Sequence, residues 1–122
     1  MQTPGQNPQE CPCLAGEPHD SENTFIGVDS DFGEVSVARC KVCGRFWLHY
    51  LMEYEYLTAA GRWFSGVITP EVAATIEPEA AKEVLEGLDW YFRGGSAFGG
   101  EVLRTASGQL KYWLFPSAYK AE

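Results

Sequence analysis

Four cysteines in two tight pairs, Cys11-Pro12-Cys13 and Cys40-Lys41-Val42-Cys43, constrain the fold of this chain more than any other feature. Two close pairs separated by a loop are the arrangement that one tetrahedral metal ion needs. With a Zn–S distance of ~2.3 Å, tetrahedral zinc holds neighbouring thiolates ~3.8 Å apart. A Cys-x2-Cys turn reaches that separation, and Gly44 can take the positive φ that follows such a turn. Cys-Pro-Cys is tighter. Residues two apart in a straight strand are separated by about 6.6 Å, so the chain must bend there, with Pro12 fixing φ and removing a backbone donor.

Other uses of the thiols fit the sequence less well. Disulfides need an oxidising compartment, and Met1-Gln2-Thr3-Pro4-Gly5-Gln6-Asn7-Pro8 has neither the basic nor the apolar stretch of a secretory signal. The expectation is a cytoplasmic protein with reduced thiols. A catalytic metal needs an open coordination position, which four cysteines close. Thioredoxin-type chemistry would need Cys40-x2-Cys43 to open a helix, whereas the residues after it alternate as a strand does. His19 and His49 are surplus to a four-cysteine set. His49 stands alone on a mixed strand face and reads as structural, although imidazole suits acid–base work. Thiolates do not by themselves select zinc over iron. The predicted site is one structural Zn2+ per chain on Cys11, Cys13, Cys40 and Cys43.

The segment Cys40-Lys41-Val42-Cys43-Gly44 resembles the knuckle of zinc-ribbon and related zinc domains, in which such a turn caps a hairpin. Cys11 and Cys13 match the other half more loosely, being one residue closer than the usual pair. The resemblance covers these positions only, and it implies a structural zinc. It also raises a nucleic-acid-binding zinc ribbon as a reading, with Arg39, Lys41 and Arg45 as the cations at the turn. The same cations, placed beside thiols, would lower their pKa values and offset the negative charge of the site.

Charge opposes the nucleic-acid reading. Nine Lys and Arg against seventeen Asp and Glu leave a net charge of −8. Four thiolates on one divalent ion add about −2. Glu10, Glu17, Asp20, Glu22, Asp29, Asp31 and Glu34 all precede Arg39, the first basic residue. Such a surface repels a phosphate backbone and is compatible with a basic protein partner or with simple solubility. At 122 residues, 45% of them hydrophobic, the chain can build a core without help from metal. Residues 1–10 read as a flexible tail and residues 11–122 as one zinc-stabilised domain. No apolar run is long enough to span a bilayer.

Along the chain, residues 14–23 read as a loop, Thr24–Val28 as a short strand, and Glu34–Arg39 as a strand running into Cys40. After Gly44, Phe46, Leu48, Tyr50, Met52, Tyr54 and Tyr56 recur at every second position, which predicts a long strand with one face in the core. Residues 58–62 are turn-like and Trp63–Ile68 return as its partner. Thr69 and Pro70 are an N-cap and a first helical residue. Pro78 opens a principal helix, expected to run to about Phe92 and to end at Gly94-Gly95. A final hairpin follows, from 101–105 through a turn at 106–108 to 109–115. The fold class is α+β: a mostly antiparallel sheet of hairpins, one principal helix packed on it, and the zinc knuckle at a hairpin tip.

Catalytic signatures are poor, with no nucleophile elbow, phosphate loop or His-Glu-x-x-His. On the expected helix, Glu79, Glu83 and Glu86 form a stripe leading to Trp90, a candidate docking surface for a basic partner. The leading expectation is a small cytoplasmic zinc-stabilised protein-interaction module without catalysis, for example an immunity or inhibitor protein acting on a basic enzyme. The alternative is an enzyme or small-ligand binder with a pocket between the sheet and the glycine-rich residues 94–100.

Overall fold

The computed structural model describes residues 11–17, 19–52, 61–95 and 101–106. They form a six-stranded sheet in sequence order: β1 (Ser21–Val28), β2 (Glu34–Cys40), β3 (Phe46–Met52), β4 (Arg62–Ile68), β5 (Trp90–Gly94) and β6 (Leu103–Ala106). Each neighbouring pair is antiparallel. Two short helices, α1 (Pro70–Thr75) and α2 (Ala81–Gly87), occupy the connection from β4 to β5. The α+β class expected from the pattern is the class observed.

Alternation along the strands sorts the side chains into two clusters. Val35, Val37, Leu48, Tyr50, Met52, Phe64, Ile68 and Tyr91 face the helices and pack with Ala81 and Leu85. On the opposite face Trp47 and Phe92 pack with Cys11, Cys13 and Cys40, flanked by Trp63, Val67 and Trp90. The first cluster contains no cysteine and is the core that period-two patterning in β3 predicts. The second is built around the thiols.

Thr69 caps α1 as expected, its Oγ1 accepting from the Val72 amide at 3.1 Å. The principal helix is shorter than expected. A 3-10 turn at Pro78–Ala80 leads into α2, which stops at Gly87 because Leu88 turns extended (φ −73°, ψ 152°). Trp90, Tyr91 and Phe92 enter the sheet, where Ser65 pairs with Phe92. Aromatic residues favour a pleated, half-buried surface, and the free edge of β4 supplies backbone partners that a lone helical turn lacks. Gly94 therefore ends a strand with Gly95 just beyond it, and the pair is no helix cap. β1 also starts earlier than expected, at Ser21, because Ser21 to Asn23 pair with Cys40 to Ala38. The tail at 1–10, the turn at 58–60, most of the glycine-rich segment (96–100) and the last strand at 109–115 lie outside the described residues.

The corner between β1 and β2 is fastened by a buried carboxylate. Asp29 Oδ1 accepts from the amides of Asp31 and Gly33, at 3.0 and 2.9 Å, and Oδ2 accepts from Tyr50 Oη at 2.8 Å. Lys82 on α2 completes the group, 3.4 Å from Asp29 Oδ2 and also paired with Asp31. Ser30 Oγ donates to Glu79 at 3.0 Å, so the same corner holds the start of the helical segment.

Candidate metal centre

Each cysteine is positioned by a local turn. Cys40 ends β2, and the Gly44 amide returns to the Cys40 carbonyl at 2.8 Å while the Cys40 amide donates to Arg45 at 2.9 Å. Gly44 has φ +85°, the left-handed value that the knuckle requires. The Cys-Pro-Cys segment bends by a different device. Cys11 precedes a 3-10 turn at Pro12–Ala15, and the Leu14 amide donates to the Cys11 carbonyl at 2.9 Å. This coiling brings the sulfurs of Cys11 and Cys13 closer than a strand would allow.

The four sulfurs converge. Cys11 lies 3.6 Å from Cys40 and Cys13 lies 3.6 Å from Cys43, Sγ to Sγ. All four lie within 4.8 Å of one another. Tetrahedral thiolates around zinc stand ~3.8 Å apart, whereas a disulfide would require ~2.05 Å. The cluster therefore has the spacing of four ligands to one ion. Three of the cysteines are buried and Cys43 is half-buried.

Burial and local hydrogen bonds act unequally on Cys11, Cys13 and Cys43. Burial raises the thiol pKa values of Cys11 and Cys13. Burial also acts on Cys43, but hydrogen bonds from the Arg45 amide and guanidinium, and from the neighbouring thiols, outweigh it and bring this pKa down to about 6. Arg45 is thus the cation of the expected trio that acts on the thiols. The buried Trp47 Nε1–H has no formed hydrogen bond, yet it lies near enough to the Cys13 sulfur to favour its thiolate. Donors of this kind around metal thiolates tune the site. A divalent ion would compensate thiolates that burial otherwise disfavours, so the residues fit a structural metal.

The histidines stay outside this cluster. His19 is exposed and its Nδ1 lies 2.9 Å from the Glu17 carbonyl. His49 stacks on Trp63, with ring centroids 5.5 Å apart. The docking stripe is divided by the fold. Glu79 and Glu83 are exposed and Glu86 is half-buried, all on the helical segment. Trp90 belongs to β5 and to the cysteine-side cluster, where it meets Trp47 edge-on at 6.1 Å and carries Arg104 over its ring. The early end of α2 causes this separation.

Sequence reasoning missed two participants, Trp47 and the Asp29 corner. Trp47 is the second residue of β3, and strand alternation alone places it on the face of Cys40. Nothing in the sequence marked Asp29 as a buried carboxylate. Compared with family models, curated proteins and solved structures, the chain gives no significant match. Among the described residues, no helix is long and apolar enough to cross a membrane.

Proposed function

We propose that the chain is a zinc-stabilised protein-interaction module of the cytoplasm that binds a basic partner through its helical side, in the manner of an immunity or inhibitor protein. The observation that carries this reading is an acid-rimmed groove beside α1 and α2. Val72, Ile76, Ala80 and Val84 line it, Glu77, Glu79 and Glu83 border it, and its volume is about 510 Å³. Apolar centre and charged rim are the anatomy of a non-obligate interface. Carboxylates at the rim steer a cationic partner and exclude acidic ones. Trp90 has no part in this surface, because it lies across the sheet from the helices.

Zinc serves the fold in this reading, holding residues 11–17 against the sheet. The test is titration with an amphipathic Lys/Leu peptide, followed by backbone NMR. Shifts should concentrate on residues 72–84, and Glu79→Lys with Glu83→Lys should weaken binding at least tenfold while the sheet resonances stay in place. Unchanged binding by the double variant would remove the helical side as the docking face.

A further inference from the structure

The sheet face opposite the helices carries a second concavity, of about 250 Å³, where the loop at residues 11–17 overhangs the strands. Its floor is a row of side chains in direct cross-strand register: Ser36 opposite His49, His49 opposite Ser65, and Ser65 opposite Phe92. Trp47 and Trp63 complete the aromatic walls, and Glu17 and Cys13 close the side under the loop. We propose that this concavity binds a small organic cation, an ammonium or guanidinium group carried on a ligand of about one ring in size.

Three observations carry the assignment. No Lys or Arg is among the described lining residues, while Glu17 is, in a chain of net charge −8. The lining also holds His19 and His49 but no permanent positive charge, and the Glu17 carboxylate would attract a cation. Next, the walls carry the rings of Trp47, Trp63 and Phe92, the kind of side chain that recognises cations such as quaternary ammonium groups. The same cluster already holds one cation: the Arg104 guanidinium carbon lies 4.0 Å from the Trp90 ring centroid, and Trp90 in turn packs edge-on to Phe92 at 5.2 Å.

The third observation concerns acceptors. Ser36, Ser65 and the His49 ring present oxygens and nitrogens on one row, and the His49 ring makes no hydrogen bond among the described residues. Burial holds the His49 pKa below its ordinary value, so near neutral pH the ring is neutral and offers a lone pair. Such a row accepts from N–H donors. The volume falls just under the usual range for drug-sized ligands, which limits the occupant to a compact group.

The test is NMR titration of the full metal-bound chain with methylammonium chloride and with N-methylguanidinium chloride. Sodium acetate and glycerol, at matched ionic strength, are the controls. At least one cation should shift the indole N–H signals of Trp47 and Trp63 and the His49 ring signals saturably, and which one does so distinguishes ammonium from guanidinium recognition. Glu17→Gln, at an exposed rim position, should weaken that binding about fivefold, the worth of one charge pair near water. Trp63→Leu should weaken it about tenfold through loss of the ring face. No saturation by either cation, equal shifts with acetate or glycerol, or full affinity in Glu17→Gln would each overturn the proposal.

Discussion

Asp29 is 4% exposed, yet it keeps its charge because two amides, the Tyr50 hydroxyl and Lys82 meet its carboxylate. Burial by itself would raise its pKa, but the Gly33 amide, Tyr50 Oη and Lys82 together bring it below the ordinary value. The sign of the resulting pH dependence follows. A carboxylate whose folded pKa lies below its unfolded value of ~3.9 stabilises the fold above that value, and the contribution is lost as pH falls through the folded pKa. Asp29→Asn should therefore lower the urea midpoint at pH 7, and the gap from wild type should close below about pH 4. A gap independent of pH would contradict the assignment. Tyr50→Phe removes one charge-assisted hydrogen bond and should cost about 2 kcal/mol. Gly33→Ala is a harsher change at the same corner. Its Cβ would stand 2.0 Å from Tyr50 Cζ, in a ring that is fully buried. The ring cannot swing away without releasing Asp29, so a loss of about 3 kcal/mol is expected, read by the same unfolding curves.

Among the elements, the strands were the more legible in sequence. Period-two alternation identified β3 and its core face, and Val35, Val37, Leu48, Tyr50 and Met52 are buried on that face as the pattern requires. The segment from Leu88 to Phe92 was ambiguous for a physical reason. Leu88, Tyr91 and Phe92 satisfy helical spacing, while Tyr91 and Phe92 also satisfy alternation between two buried sheet faces. Only the presence of β4 as a backbone partner decides between them, and that is a long-range fact. The cysteine turns show the opposite case, since the geometry of a four-ligand site is imposed by the metal and so is readable from spacing. The cysteine cluster should accordingly behave as a separable element. In Cys43→Ser, amide exchange should accelerate first at residues 11–17 and 40–45, with β3 and β4 amides still protected, because the helix-side core contains no cysteine. Simultaneous loss of protection throughout the sheet would show that the metal supports the whole fold.

At the scale of the molecule, the sheet separates three surfaces with different chemistry. The helical side presents an acid-rimmed apolar groove, the opposite face presents an aromatic concavity, and the thiol cluster closes one end of that second face. Composition could indicate acidity and aromatic excess, but only the topology assigns each to a face. Trp90 illustrates the point: adjacent in sequence to the acidic helix, it is across the sheet from it in space. The cysteine cluster is the link between sequence and architecture, since it joins residues 29 and 30 positions apart. The most direct test is native mass spectrometry, with elemental analysis, of protein prepared without added metal or chelator. One zinc ion per chain, lost together with the protection of residues 11–17 when all four thiols are alkylated, is the predicted result. Metal-free protein that has four titratable thiols, the native fold and no affinity for added Zn2+ would contradict the account.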